Sequence, residues 1–108
     1  MAHATDLQLP LPIEEIGRLC RRYGVRRLAV FGSALRSDFR PDSDVDFLVE
    51  FVGDDAGPWM GKYTDLGEEL KALLNRDVDV VGWRGIEQSR NPIRRRAILS
   101  SARVVYAE

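Results

Sequence analysis

The sequence predicts a layered α/β or α+β domain: a single sheet of about four strands flanked by helices. Three observations carry that prediction. Segments with apolar residues at helical spacing alternate with short apolar runs, in the order α-β-α-β-α-β-α-β. Prolines open the helical segments, and Gly or Asn closes two of them. The chain has 108 residues, 44% hydrophobic and 31% charged, an ordinary globular composition sized for one domain spanning 1–108 rather than two.

Residues 1–10 are expected to form a flexible tail. From Pro12 to Tyr23, Ile13, Ile16, Leu19, Cys20 and Tyr23 fall at helical spacing, and Gly24 suits a left-handed stop. Glu14 and Arg18 are spaced for an i,i+4 pair on the wet side. Val25 to Phe31 reads as a strand that stops at Gly32-Ser33, where Ser33 suits the cap of a short turn through Arg36. Asp38 to Ser43 reads as a loop, and Asp44 to Phe51 as a strand with a polar start. After a Gly/Asp turn at 52–57, Pro58 is expected to open a helix to about Leu74, with Tyr63, Leu66, Leu70, Leu73 and Leu74 on one face and Asn75 as its stop. Asp77 to Val81 is a third strand, and Gly82 to Asn91 a loop with at most one helical turn. Pro92 starts a last helix to about Ser101, and Arg103 to Tyr106 a short final strand.

The formal net charge of −1 conceals a segregation. Residues 1–37 carry 6 basic and 3 acidic side chains, residues 38–79 carry 4 basic and 12 acidic, and residues 80–108 carry 6 basic and 2 acidic. A centre so acidic repels itself unless its charges are spread over loops or hold cations. Asp54, Asp55, Glu68 and Glu69 read as solvated surface. No apolar run approaches the ~18 residues of a membrane span. The first ten residues lack the basic and apolar regions of a secretory leader. The single cysteine excludes an internal disulfide, so a reducing, cytoplasmic setting is expected.

The densest chemistry lies in Gly32-Ser33 and Asp44-Val45-Asp46. Alternate residues of a strand share a face, so Asp44 and Asp46 present two carboxylates side by side. Like charges that close are costly alone. A hard cation between them removes the cost, and Mg²⁺ favours such carboxylates together with substrate phosphates. A glycine after an apolar strand lets backbone amides approach a phosphate. Asp77-Val78-Asp79 is a second pair in a later strand. Taken singly, each of these pieces is equally well a solvated strand end or a plain turn.

Together they are more specific. GSxxR at residues 32–36, SDxDF at 43–47 and apolar-Asp-apolar at 78–80 resemble the nucleotidyltransferase superfamily of the DNA polymerase β type. Over residues 12–106 the chain resembles its minimal members, the MntA-like antitoxins. Asn91-Pro92-Ile93-Arg94, Ile98-Leu99 and Val104-Val105-Tyr106 are similar to the usual ending of these short proteins. Two positions depart from the pattern. Ser37 stands where a glycine usually follows the motif arginine, and Phe47 stands for the usual leucine.

The resemblance implies a polymerase β-like fold with a mixed sheet. It also implies transfer of AMP from ATP to a tyrosine of a partner HEPN-domain (HepT-like) ribonuclease toxin, in a hetero-oligomer that neutralises it. Asp44, Asp46 and Asp79 would be catalytic and would bind two Mg²⁺ ions, with Asp79 taking up the acceptor's proton. Gly32, Ser33, Arg36 and Ser43 would bind the nucleotide. Two other readings stay open: an antitoxin acting by protein binding alone, and a nucleotidyltransferase for another hydroxyl acceptor.

The remaining features weigh less. Three consecutive arginines, Arg94 to Arg96, spread around a helix and cannot all face one ligand, and without interleaved aromatics they do not favour direct nucleic-acid binding. Trp59 and Trp83 are expected to cover the core, although an exposed tryptophan would suit a protein interface. Cys20 is expected to pack in the core, and His3 gets no role.

Overall fold

The computed structural model describes residues 11–32, 44–55 and 57–108. The expected tail at 1–10, the turn after Ser33 and the loop at 38–43 lie outside the described residues. Helix α1 (Ile13–Tyr23) starts where Pro12 accepts from the Ile16 N–H at 3.0 Å, and ends at Gly24, whose left-handed backbone (φ 70°) closes it. Strand β1 (Val25–Phe31) follows at once, and β2 is Val45–Phe51. Helix α2 (Gly61–Leu74) stops at Asn75, also left-handed (φ 54°). Strand β3 is Val78–Gly82, α3 Trp83–Glu87, α4 Pro92–Ser101 and β4 Arg103–Ala107.

The strands form one mixed sheet in the order β3-β2-β1-β4. β1 pairs antiparallel with both β2 and β4, whereas β2 and β3 run parallel, joined by the α2 crossover. Each face of the sheet has its own core. On the first, Ile16 and Cys20 of α1 and Leu66 and Leu70 of α2 pack on Leu28, Val30, Val45, Phe47, Val49 and Phe51. On the second, Trp83 and Ile86 of α3, with Ile98 and Leu99 of α4, pack on Ala29, Phe31 and Leu48.

Four expectations change. Pro58 does not open α2: Trp59 and Met60 both have left-handed backbone (φ 57° each), which breaks the helical path until Gly61. Trp59 does not cover the core; it is 99% exposed, whereas Trp83 is buried. The segment after Gly82 is a five-residue helix rather than a loop, held by burial of Trp83 and Ile86. Arg18 reaches Glu15 at 3.4 Å, one residue nearer than the expected Glu14.

Candidate active site

Strand alternation builds the site. β2 turns Val45, Phe47, Val49 and Phe51 to the first face, each at most 3% exposed. Asp46, Leu48 and Glu50 therefore turn to the second, and Asp44 lies immediately before the strand. In β3, Val78 and Val80 join the first core and Val81 the second, so Asp79 lies on the second face.

The register then sets these residues in rows across the sheet. Phe31 of β1 stands opposite Asp46 of β2, and Asp46 stands beside Asp79 of β3. The next row is Ala29, Leu48 and Val81. Beyond it Arg27 stands opposite Glu50. The second face thus passes from carboxylates, through an apolar row, to an ion-paired row. In that last row the Arg27 Nε donates to Glu50 Oε1 at 2.7 Å, an Arg27 Nη2 lies 3.7 Å from Glu87, and the guanidinium stacks 3.7 Å above the Trp83 ring.

At the carboxylate end, neighbouring strands are only about 4.8 Å apart, so Asp46 and Asp79 are close like charges. Asp44 and Asp79 are exposed and Asp46 is half-buried. Gly32 follows β1 with a left-handed backbone (φ 76°), and a Cβ on it would fall 2.5 Å from Asp46 Oδ2. The Asp46 carboxylate therefore lies against the bare backbone of Gly32.

Asp77 differs from Asp79. Its carbonyl accepts the Val45 N–H at 3.0 Å, which helps fix the β2–β3 register, and its carboxylate lies 3.9 Å from Lys71 Nζ. Ser33, Arg36, Ser37 and Ser43 lie outside the described residues. Among the expected site residues, Gly32, Asp46 and Asp79 come together at one end of one sheet face, and Asp44 immediately precedes β2 at that end. The sequence alone could not place Asp46 against Gly32, 14 residues away, nor join Arg27 to Glu50, Trp83 and Glu87.

The donor set suits a hard divalent cation in kind: all carboxylate oxygens, on adjacent strands, beside a glycine that leaves room. Among the described residues no three acidic, histidine or cysteine side chains are already drawn together as a metal cage. A cation would have to gather them.

The profile of the nucleotidyltransferase domain family matches residues 14–105. The chain is 46% identical over 63 residues to the protein adenylyltransferase MntA of Thermococcus cleftensis, a match covering 58% of this chain and 61% of that protein's length. A solved structure assigned as a minimal nucleotidyltransferase superposes with a TM-score of 0.63 at 37% identity, covering 83% of this chain and 85% of that one. Crystal structures of a toxin–antitoxin complex with AMP-PNP and of an MntA–HepT variant complex each give a TM-score of 0.67 at 19% identity. Each covers 91% of this chain and 75% of the matched chain, and at that identity the likeness is one of fold.

Proposed function

Since the chain belongs to the nucleotidyltransferase domain family, we propose that it is an Mg²⁺-dependent protein adenylyltransferase. It would act as the antitoxin of a pair, moving AMP from ATP to a tyrosine hydroxyl of a HEPN-type (HepT-like) toxin in the cytoplasm. One observation carries this reading: Asp46 and Asp79 stand side by side in register, with Gly32 bare beside Asp46 and Asp44 immediately before the strand. The relatives support the donor and the partner, since one similar complex holds AMP-PNP and another pairs MntA with HepT.

Asp44, Asp46 and Asp79 would hold two Mg²⁺ ions. When bound, these ions supply charge neutralisation for the triphosphate and activation of the acceptor hydroxyl. Asp79 stands on the strand beside Asp46 and would take the proton from the tyrosine oxygen as that oxygen attacks the α-phosphorus. The bond from that phosphorus to the β-phosphate bridging oxygen breaks, and pyrophosphate leaves. Gly32 exposes its backbone amide to the leaving phosphates, with Ser33, Ser43 and Arg36 as further nucleotide contacts. The added phosphate places negative charge on the toxin, which repels its RNA substrate.

The test is coexpression with a HEPN-type toxin, followed by intact mass of both chains. The expected result is an AMP-sized increment on the toxin that disappears with Asp44→Ala plus Asp46→Ala. Continued transfer by the double variant would exclude these carboxylates as the site. A melting midpoint that rises with Mg-ATP is expected as well, because a ligand bound only by the folded state stabilises it.

A second reading, neutralisation by binding alone, is favoured by Trp59, which is 99% exposed beside a 61% exposed Met60. It predicts that the double variant still copurifies with toxin and rescues growth. Loss of rescue with binding intact eliminates it.

A further inference from the structure

We propose that Gly32 is a positioning residue for Asp46, an inference that rests on the metal-site reading above. The missing side chain at Gly32 makes the space in which the Asp46 carboxylate lies, and a Cβ there pushes that carboxylate off the row it shares with Asp79. The contact falls on the functional end of the side chain. A Cβ on Gly32 would lie 2.5 Å from Asp46 Oδ2, 3.4 Å from its Cγ and 3.7 Å from its Cβ. Only the first distance is prohibitive, so the carboxylate must move while the rest of the residue has room to stay.

The Asp46 backbone cannot retreat, because it is held between two ladders: opposite Phe31 in β1 and beside Asp79 in β3. The carboxylate is the movable end of the side chain, so it turns, and the turn removes a ligand from its place. Gly32 therefore carries two separate demands, a left-handed backbone (φ 76°) and an empty Cβ site. Gly53 shares the first demand without the second, since its φ is 65° and nothing lies within 4 Å of its Cβ position.

That pair of glycines supplies the control. Gly53→Ala should lower the melting midpoint by about 4–8 °C and Gly32→Ala by at least as much, because both force alanine into the left-handed region. They should part in binding of Mn²⁺ alone, measured on the full-length chain by titration of the free-ion paramagnetic resonance signal. Gly32→Ala is expected to weaken Mn²⁺ by about 10–100-fold, as other disturbances of ligand orientation do, and Gly53→Ala to leave it unchanged. Gly32→Asn sharpens the test, since asparagine tolerates the left-handed backbone but still brings a Cβ. It should recover part of the lost midpoint and none of the lost affinity. Equal Mn²⁺ binding by wild type and Gly32→Ala would overturn the positioning role and leave the metal site standing. No saturable Mn²⁺ binding by wild type would overturn both.

Discussion

Along β2, Val45, Phe47, Val49 and Phe51 turn to α1 and α2 and are almost wholly out of water, whereas Asp46, Leu48 and Glu50 turn to α3 and α4. The first face is apolar from end to end. The second places a carboxylate on either side of one leucine. These two carboxylates are treated differently. Glu50 is met by Arg27 at 2.7 Å, and Asp46 shares its row with Asp79 and lies against the bare backbone of Gly32. One strand therefore supplies burial on one side and the proposed site on the other, and substitutions on the two sides should fail in different ways.

The largest expected effect contrasts Phe47 with Asp46. Phe47 is fully buried, so Phe47→Ala should cost about 3–5 kcal/mol in urea unfolding, since it removes the ring and leaves a cavity. Asp46→Ala, the adjacent residue on the other face, should cost clearly less, because truncating a half-buried side chain leaves no sealed cavity in the core. Adenylyl transfer should vanish with Asp46→Ala. A large loss of stability in Asp46→Ala would mean that the acid row holds the fold together, and the contrast between the faces would break.

Cys20 probes the first face by pH. It is fully buried, and burial pushes its thiol from 9.0 up to about 12, with Arg21 opposing. The unfolded chain loses this proton near its ordinary value, and the folded chain holds it to about 12. Stability from this group is thus complete below about pH 9 and is lost as pH rises toward 12. The slope approaches about 1.4 kcal/mol per pH unit in that window. Cys20→Ala should remove that slope, although it costs packing at neutral pH. Unfolding curves between pH 8 and 11 on both chains check this, and identical pH slopes would show that the site is open to water.

Arg27 probes the second face at the end where charge is matched. Arg27→Ala removes a stacked cation from Trp83 and leaves Glu50 and Glu87 without it. A loss of about 1–2 kcal/mol is expected, modest because these groups are partly exposed and screened. Arg27→Lys should recover only part of it, since an ammonium neither stacks nor forks as a guanidinium does. In 1 M salt the ion-pair share should fade and the stacking share persist. Full insensitivity of the Arg27→Ala loss to salt would assign the whole contribution to Trp83.

What the sequence made legible follows the range of each rule. The bounds of β1 and α4, the left-handed stops at Gly24 and Asn75, and the alternation of β2 are set by neighbouring residues and were readable. The α2 start was not: a proline signals a first turn, but Trp59 and Met60 take backbone that their own chemistry disfavours. Helix α3 fills the place of the single turn allowed after Gly82; five residues carry too little periodicity to fix its bounds, and it exists through burial of Trp83 and Ile86 on the sheet. For the candidate site, the pairing of Asp44 with Asp46 is local. The apolar-Asp-apolar pattern at 78–80 already singles out Asp79 over Asp77 by resemblance, whereas the fit of Asp46 against Gly32 depends on register between separate strands, which no local pattern specifies.

The smallest effect tests whether the second face is closed by its helices or only covered by them. Asn91 caps α4, its Oδ1 accepting from the Ile93 and Arg94 N–H groups at 3.1 Å each. Asn91→Ala should cost about 1 kcal/mol, the usual loss when a capping acceptor is removed. Two outcomes separate the possibilities. If α4 merely covers the sheet, the loss stays local: hydrogen exchange quickens in α4 and nowhere else. If α4 closes the face, exchange also quickens in β4 and in α3, because Ile98, Leu99 and Val104 share one core with Trp83 and Ile86. The second outcome is expected, since among the described residues that core has five buried members against the eleven of the first face. The smaller core depends more on each helix that bounds it. The face that carries the carboxylates is then also the one that loosens first.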